Sequence, residues 1–443
     1  MFGSGPLEGW RRRQALPYDR ATTKGANVHE ASVASVKTGA PARAGHPLRW
    51  AMSVVLLIAI TTAFFDRINV AVLFTNAEFH ADIGVSDPAR MGLLMTAFVL
   101  PYGISALLFS IFGDYFGPRR TLAGIAGILA ATMAVMGALS SYPLTLAGRV
   151  VIGITEGPQF GTAIATVKRW YPSREQALGN AIWTIGSPLG SALGFPLVIF
   201  LVANYGWRVS FFALAALNAV IVLPLIWFFL RDRPPPDSVS PVPGAEHKIS
   251  FRDGIVIVIR DPRFWLLTFF NCGVLIYLWG LTSWLPTYLQ QARGFDLLRT
   301  GFYSSLPFFL MIGGQFLSAW VSDLLGKRAA ICGFNLFMTG VFVYLTSIVP
   351  DATTAAWCVA ISAGFWGGTA PTLFTLGSQI MPAKVTAAGF GLYGGIGNIA
   401  GAFAPLIIGM LVASTGSFTA GLQFLVFCCV LGSLAMIPLM RKY

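Results

Sequence analysis

The loop Gly113-Asp-Tyr-Phe-Gly-Pro-Arg-Arg120 has a counterpart at Ser322-Asp-Leu-Leu-Gly-Lys-Arg328 in the second half of the chain. Both loops read Asp-x-x-Gly followed by basic residues, and each follows the second long apolar segment of its half. One such loop is a weak signal because Asp-x-x-Gly is common. Two at equivalent positions predict an internal repeat, a construction found in many polytopic membrane proteins.

The composition indicates a membrane protein. The chain of 443 residues is 55% hydrophobic and only 11% charged, and its mean hydropathy is +0.69. Soluble domains carry about 25% charged residues. Apolar runs such as residues 214–230 and 422–440 approach the roughly 20 residues that a helix needs to cross a bilayer. Backbone amides in lipid must be paired within their own segment, so these runs predict helices.

We predict an all-α membrane protein with twelve transmembrane helices in two six-helix bundles. The predicted helices cover residues 49–74, 88–112, 120–139, 143–166, 177–203, 207–230, 264–290, 300–322, 329–349, 353–379, 385–412 and 417–439. This divides the chain into a disordered cytoplasmic tail (1–46), an N-terminal bundle (47–230), a cytoplasmic linker (231–262) and a C-terminal bundle (263–443). Mixed apolar and charged residues at 249–263 are compatible with a short amphipathic helix along the membrane face.

Basic residues set the predicted orientation. One side of the predicted bundle holds the basic linker and most loop cations, namely Arg119, Arg120, Lys168, Arg169, Arg174, Lys327, Arg328 and Lys384. The positive-inside rule places this side, both termini and the linker in the cytoplasm. The net charge of +12 therefore reflects topology and predicts no nucleic-acid partner. We expect a monomer in the bacterial inner membrane.

The usual signatures of catalysis are missing from the sequence. The five cysteines lie inside apolar segments, without metal-ligand spacing to a histidine, and the four histidines lie outside the predicted helices. The chain has no phosphate-binding glycine loop ending in Lys-Ser/Thr and no nucleophile elbow. We therefore predict no enzyme activity, no metal, no cofactor and no ATP-driven step.

Four charged residues fall inside predicted helices, where an ionisable group is a functional hypothesis by default. Asp66 and Arg67 lie in the first helix, and Arg149 and Glu156 lie in the fourth. Arg149 and Glu156 are two turns apart and share a helix face, about 10 Å apart along the axis. Two acids and two bases form a neutral set that can be buried if mutually paired. One interpretation is a structural cluster that fixes the first helix to the fourth.

The other interpretation is functional. A carboxylate that arrives from solution can pair with one arginine, which then leaves its protein acid. That acid must take up a proton or remain unpaired, so anion binding and protonation become linked. Asp66 and Glu156 are the acids placed to do this.

The repeated loops resemble the signature loop of the major facilitator superfamily, and the resemblance covers roughly residues 47–440. It implies two six-helix bundles that rock around a central site. It also implies a gating role at the cytoplasmic end for Asp114, Arg119, Arg120, Asp323, Lys327 and Arg328. The alternative for these loops is a turn with topology-determining charge.

A narrower resemblance is to the anion:cation symporter family within that superfamily. It rests on Phe65-Asp66-Arg67-x-Asn69, on Gly148-Arg149-x6-Glu156-Gly157-Pro158 and on Ser283-Trp-Leu-Pro-Thr-Tyr-Leu289. That family carries organic anions such as sugar acids, phthalate and hydroxyphenylacetate. For its bacterial sugar-acid members, the resemblance implies proton carriers at Asp66 and Glu156.

The same resemblance implies substrate-binding positions. It assigns ion pairing and anion binding to Arg67 and Arg149, and substrate contacts to Tyr102 and Asn398. We add Tyr277 because it supplies aromatic surface in the C-terminal half. A hydroxyl-binding glutamine of the hexonate carriers is missing, because residues 184–188 read Thr-Ile-Gly-Ser-Pro, and Ala106 replaces a usual polar residue. Both aromatic acids and sugar acids therefore remain open.

The sequence thus predicts proton-coupled uptake of a small organic carboxylate, with the N-terminal bundle handling charge and the C-terminal bundle handling shape. The expected partners are the organic anion, protons and the lipid bilayer. One rival is a drug or metabolite exporter of the same fold, which needs neither arginine for neutral substrates. The other is a carboxylate sensor that does not translocate its ligand.

Overall fold

The computed structural model describes residues 46–109, 115–172, 175–235, 256–381 and 386–443. Within these ranges the regular structure is helical, and ten helices are long and apolar enough to cross a membrane. Two further helices, each divided by one glycine, occupy the predicted fourth and tenth positions. The all-α prediction is confirmed, and the series agrees with twelve helices.

We number the long helices α1 to α12. The N-terminal half contains α1 (Leu48–Val72), α2 (Pro88–Phe109), α3 (Pro118–Ala138), α4 (Tyr142–Glu156 and Pro158–Trp170), α5 (Gln176–Thr184 and Gly186–Tyr205) and α6 (Trp207–Ala216, a π-helical Leu217–Val222, and Leu223–Phe229). The C-terminal half contains α7 (Pro262–Thr287, continued by a π-helical Tyr288–Ala292), α8 (Leu297–Leu325), α9 (Arg328–Ile348), α10 (Ala352–Gly367 and Thr369–Ile380), α11 (Thr386–Ala402 and Ala404–Thr415) and α12 (Phe418–Leu434). Shorter helices lie at Leu73–Thr75, Ala77–Ile83 and Ile437–Met440.

The break in α4 brings that helix close to α2. Gly157 keeps right-handed helical dihedral angles (φ −50°, ψ −46°), so the backbone continues in the same direction. Pro158 then starts the second segment, at a position where its missing N–H costs little. A Cβ at Gly157 would lie 2.5 Å from both the Ala106 backbone nitrogen and the Ser105 Oγ of α2. A glycine is therefore required here.

The start of α1 and the C-terminal residue lie at one end of the bundle, which we call the terminal end. The Tyr171 hydroxyl, after α4, donates to the Arg49 carbonyl in α1 (3.0 Å). The Ala329 N–H at the start of α9 donates to the Tyr443 carbonyl (2.9 Å). The predicted cytoplasmic face is this end. Asp261 lies here, and hydrogen bonds from the Arg263 guanidinium hold the pKa of its carboxyl below the usual value.

Arginine side chains connect loops at the opposite end of the bundle, which we call the far end. Asp82, on the short helix after α1, accepts from the Trp207 indole (3.0 Å) and the Arg208 guanidinium (2.9 Å). Arg208 also donates to the Gly137 carbonyl at the end of α3 (3.2 Å). In the C-terminal half, Arg293 donates to the Val349 carbonyl after α9 (2.8 Å). Each half thus fixes its first connection to the end of its third helix.

The two halves meet most closely where α2 packs antiparallel to α11. A Cβ at Gly92 would lie 2.4 Å from the Pro405 carbonyl oxygen, and a Cβ at Gly409 would lie 2.5 Å from the Pro88 carbonyl oxygen. Nearer the far end, Thr75 donates to the Gln290 side chain (3.0 Å). These contacts between the two halves close the far end.

The linker is described only at its two ends. Of the predicted amphipathic helix at 249–263, residues 249–255 lie outside the described part. One helical turn follows at 256–259, with Val258 buried. The helix α7 then begins at Pro262, one residue earlier than the predicted bundle boundary, because Asp261 caps it by accepting from the Arg263 N–H (2.9 Å).

Candidate functional site

A buried ion pair joins α1 to α4. The Arg67 Nε lies 2.5 Å from the Glu156 Oε2. Both residues are shielded, with 2% of Arg67 and none of Glu156 exposed. Removing two charges from solvent costs several kcal/mol per ion, on the order of the attraction that such a pair regains. The pair therefore contributes little net stability, and its retention needs another reason.

Aromatic rings surround the Arg67 guanidinium. Its central carbon lies 4.3 Å from the Phe64 ring centroid, 4.7 Å from Tyr102, 5.6 Å from Phe98 and 5.8 Å from Phe160. These rings come from α1, α2 and α4, so the cage depends on all three helices. Cation–π contacts of this kind are worth about 2 kcal/mol when desolvated. The rings stabilise the cation while leaving its N–H groups free to bond.

Asp66 is bonded to a different helix. Its Oδ2 accepts from the Asn218 Nδ2 in α6 (2.8 Å), and neither side chain is more than 1% exposed. Sequence reasoning missed Asn218, which stands alone in the apolar run 214–230. The available signal was a single amide in an apolar helix, and such residues usually make interhelical hydrogen bonds.

Arg149 is fully buried and bonds mainly to backbone. Its guanidinium donates to the carbonyls of Leu94 (3.2 Å), Asp66 (3.5 Å) and Arg67 (3.5 Å), and it lies 4.6 Å above the Phe98 ring. The neutral set of charges predicts mutual pairing of Arg149 with the acids. The described contacts instead tie α4 to the backbones of α1 and α2, which holds the Asp66–Arg67 segment in place.

Several atoms of this group retain hydrogen-bonding capacity. Within the described residues, Asp66 Oδ1, Arg67 Nη2 and Glu156 Oε1 are buried without a hydrogen-bond partner. Buried polar groups are normally satisfied, so each such atom calls for an explanation. One guanidinium NH2 group of Arg67 is therefore available to an anion, and one oxygen on each of Asp66 and Glu156 is available to a proton.

An aromatic bridge connects this cluster to the C-terminal half. The Tyr102 ring contacts the Trp279 ring with centroids 6.2 Å apart. The Trp279 indole N–H donates to the Asn398 Oδ1 (3.1 Å), and Asn398 donates to the Gly394 carbonyl (2.9 Å). A Cβ at Gly103 would approach the Asn398 Cβ to 3.0 Å. The structure thus brings predicted residues Tyr102 and Asn398 to one junction of α2, α7 and α11.

Tyr277 lies elsewhere. It is fully buried, its hydroxyl shares a hydrogen bond of 2.6 Å with the Ser362 Oγ, and its ring stacks on Trp366 at 6.2 Å. These described contacts all belong to the C-terminal half, between α7 and α10. The predicted Tyr277 is therefore not among the residues gathered around Arg67.

The predicted gating residues lie at the terminal end, except that Asp114 falls outside the described residues. Asp323 and Arg328 face each other within one loop (3.6 Å), while Arg120 and Lys327 are exposed. The Arg119 N–H donates to Asp232 at the start of the linker (2.8 Å). The described ion pair is thus local to the second loop.

Similar proteins identify the family of this chain. The chain belongs to the Major Facilitator Superfamily, whose family model matches residues 56–405. It is 29% identical over 396 residues to the probable sulfoacetate transporter SauU of Cupriavidus necator, covering 85% of this chain and 90% of that one. It is 27% identical over 419 residues to the D-galactonate transporter of Escherichia coli O6:H1, covering 88% and 95%.

A solved structure shares the fold. The bacterial homologue of the human lysosomal transporter Spinster, in an inward-facing and unoccupied conformation, matches with a TM-score of 0.75 at 18% identity. The match covers 88% of this chain and 97% of that chain. The protein is therefore a multi-pass membrane transporter of the major facilitator fold and not an enzyme.

Proposed function

We propose that this protein is a proton-coupled symporter that takes up a small organic carboxylate by alternating access. The observation that carries the proposal is the buried Arg67–Glu156 ion pair, in which one guanidinium nitrogen and one carboxylate oxygen have no protein partner in the described residues. A purely structural pair is best stabilised when every polar atom is bonded. The Arg67–Glu156 pair instead keeps the Arg67 Nη2 as a donor for an anion.

The same pair links anion binding to protonation. A substrate carboxylate can bond the Arg67 Nη2 and compete with Glu156 for the guanidinium. A proton on Glu156 then removes the uncompensated charge, because a buried carboxylate without a cation is strongly disfavoured. Arg149 secures the backbone of Asp66 and Arg67, and its own charge favours an anionic occupant. Asp66 provides a second proton-binding carboxyl.

The relatives support an anionic substrate. Sulfoacetate and D-galactonate, the substrates in the names of two relatives, are both organic anions, although only galactonate is rich in hydroxyl groups. The junction of Tyr102, Trp279 and Asn398 offers aromatic faces and one amide to the uncharged part of such a molecule. Tyr277, whose ring stacks on Trp366 within the C-terminal half, is not part of this junction.

The transport cycle needs both ends to open in turn. We assign the described structure to a state that is closed at the far end, where α2 and α11 interlock. Closing the terminal end would bring together the two loops that hold Asp114, Arg119 and Arg120, and Asp323, Lys327 and Arg328. We propose that these charges latch that end in the alternative state, in a monomer of the bacterial inner membrane.

The proposal is tested by uptake into proteoliposomes that contain the purified full chain. The probes are sulfoacetate, D-galactonate and phthalate, each offered with an inward proton gradient, with that gradient collapsed by a protonophore, and with a sodium gradient instead. We expect concentrative uptake of at least one probe, driven by the proton gradient alone.

The rival functions give other outcomes. Saturable binding without accumulation would identify a sensor, and efflux of neutral compounds without anion uptake would identify an exporter. Either result would overturn the symport proposal. Uptake driven by sodium would overturn the choice of the coupling ion and leave anion transport standing.

A further inference from the structure

Asp66 and Arg67 are neighbours in sequence but bond to different helices packed against α1. Successive residues of an α-helix point about 100° apart. The Arg67 side chain points toward α4 and bonds Glu156. The Asp66 side chain points toward α6 and bonds Asn218. The acid nearest to the anion-binding guanidinium in sequence is therefore held away from it.

Asn69 lies on the Asp66 side of α1. Three residues of helix leave Asn69 about 60° from Asp66, whereas two residues place it about 160° from Arg67. Asn69 is fully buried, and neither of its amide atoms has a partner in the described residues. The Asp66 Oδ1 is also without one. Buried polar atoms are normally bonded to protein or to water. The Asn69 amide and the Asp66 Oδ1 therefore mark a polar side of α1.

The helix that supplies Asn218 is locally remodelled. Asn218 lies in the π-helical segment Leu217–Val222 that interrupts α6. Besides Asp66, its Nδ2 donates to the Leu214 carbonyl (3.0 Å). In an α-helix that carbonyl bonds the N–H four residues later, which belongs to Asn218 itself. Insertion of a side chain into the backbone ladder bends helices, and π-helical segments occur frequently at functional sites.

We propose that Asn218 is a positioning residue, which holds the Asp66 carboxyl on the α6 side of α1 in a polar compartment shared with Asn69. The Asp66 and Arg67 side chains leave α1 about 100° apart, so the carboxyl bonds Asn218 while the guanidinium bonds Glu156. This inference rests on the proposed function, in which Asp66 is a proton-carrying acid. Its consequence is that an anion on Arg67 and a proton on Asp66 can be bound together, as symport requires.

An asparagine suits this task chemically. Its amide carries both a donor and an acceptor. It can donate to an ionised carboxylate through Nδ2, and after rotation it can accept from a protonated acid through Oδ1. The Asp66 carboxyl can therefore keep one partner through a cycle of proton uptake and release.

The test compares Asn218 variants in proteoliposomes loaded and assayed with sulfoacetate, D-galactonate and phthalate. The readout is a coupling ratio, defined as the rate of proton-driven uptake divided by the rate of counterflow exchange. Asn218→Leu removes the amide while keeping the branched shape of the side chain, and it should lower this ratio about tenfold, since hydrogen bonds to charged groups are worth roughly 1.5–3 kcal/mol. Asn218→Ser keeps one donor and should retain more coupling than Asn218→Ala, a comparison that remains if the leucine variant does not fold.

Two controls separate positioning from mere structure. In an Asp66→Asn background, Asn218→Leu should change the coupling ratio by less than about twofold, because contacting residues acting as one unit are non-additive. Asn335→Leu removes another buried asparagine, which donates to the Ser318 Oγ in the C-terminal half (2.8 Å), and should leave the ratio unchanged.

The outcomes distinguish this inference from the proposed function. A normal wild-type ratio together with an unchanged Asn218→Leu ratio would overturn the inference alone. The same conclusion follows if the Asp66 and Asn218 effects on the ratio are additive. A wild-type protein that shows no proton-driven uptake of any of the three probes would overturn both.

Discussion

The two halves of this transporter share a helical plan but bury different chemistry. The N-terminal half buries two acids and two bases, Asp66, Arg67, Arg149 and Glu156. In the described part of the C-terminal half, the buried polar side chains are hydroxyls and amides, with tryptophans and tyrosines between them. The difference is the basis of the proposed division of labour, in which the N-terminal half handles charge and protons and the C-terminal half handles shape.

The junction between the halves is where we expect them to act together. Tyr102 contacts both the Arg67 guanidinium and the Trp279 ring. A substrate held by Arg67 would therefore meet the C-terminal half through Tyr102, Trp279 and Asn398. In the proposed alternating-access cycle the halves rock against each other, so this contact is suited to report occupancy from one half to the other.

The largest effect should follow from removing the N-terminal cation. Arg67→Gln removes the guanidinium proposed to bind the anion and leaves Glu156 without its counterion. Transport should fall by up to about 100-fold, since hydrogen bonds to charged groups are worth roughly 1.5–3 kcal/mol. Initial rates of anion exchange in proteoliposomes measure this. The control Arg299→Gln removes a cation from the C-terminal half whose side chain is 72% exposed and should transport normally. Anion exchange by Arg67→Gln at near wild-type rates would favour the exporter.

A smaller effect is expected where the halves interlock. Gly92→Ala places a Cβ 2.4 Å from the Pro405 carbonyl oxygen, so the α2–α11 contact must open. Overpacking costs about 1–3 kcal/mol, enough for a roughly tenfold shift toward a state open at the far end. Labelling of Thr75→Cys by an impermeant maleimide should accelerate accordingly.

The reciprocal and control glycines sharpen this prediction. Gly409→Ala, which meets the Pro88 carbonyl oxygen from the other half, should act like Gly92→Ala. Gly124→Ala in α3 has no atom within 4 Å of its Cβ and should leave labelling unchanged. Equal labelling rates in all three variants would show that this interface does not control the far end.

The C-terminal half should affect affinity rather than coupling. Asn398→Ala removes the acceptor of the Trp279 indole N–H, and an unpaired buried donor costs about 1–3 kcal/mol. We expect the KM for the transported anion to rise about fivefold with the coupling ratio unchanged. Asn271→Ala, which loses a bond to the Tyr393 carbonyl in the same half, is the control. A lowered coupling ratio in Asn398→Ala would contradict the division between the halves.

The smallest effect is expected at the connection between the halves. Asp261 pairs with Arg263 at the start of α7, and this partly exposed pair is worth about 1 kcal/mol or less. The folded protein depresses the pKa of Asp261. The stabilisation is therefore present above the unfolded pKa and is lost as the pH falls through the folded value. At pH 7, Asp261→Asn should have a slightly lower thermal unfolding temperature than the wild type. In acid the two unfolding temperatures should be equal. A constant difference at all pH values would contradict this.

The sequence predicted the helices and the buried charges because both are local signals. Apolar runs define the spans, and Asp66, Arg67, Arg149 and Glu156 stand out as charges within them. The family model confirmed the superfamily resemblance. The proton-carrying and anion-binding roles remain predictions, since they concern events during transport.

The partners of those charges could not be predicted in the same way. Asn218 becomes a partner of Asp66 only when α6 packs against α1 and turns π-helical. The cage around Arg67 combines rings from three helices. The Arg149 guanidinium bonds backbone carbonyls, which every residue carries and no sequence pattern marks. These features depend on tertiary packing, so they appear only in the structure.

The central claim is that Glu156 couples proton movement to anion movement, and Glu156→Gln tests it most directly. The substitution keeps the shape of the side chain but removes its ability to gain and lose a proton. In proteoliposomes with an inward proton gradient, we predict that concentrative anion uptake falls to background while counterflow exchange remains measurable. Concentrative uptake by Glu156→Gln at the wild-type level would contradict the account.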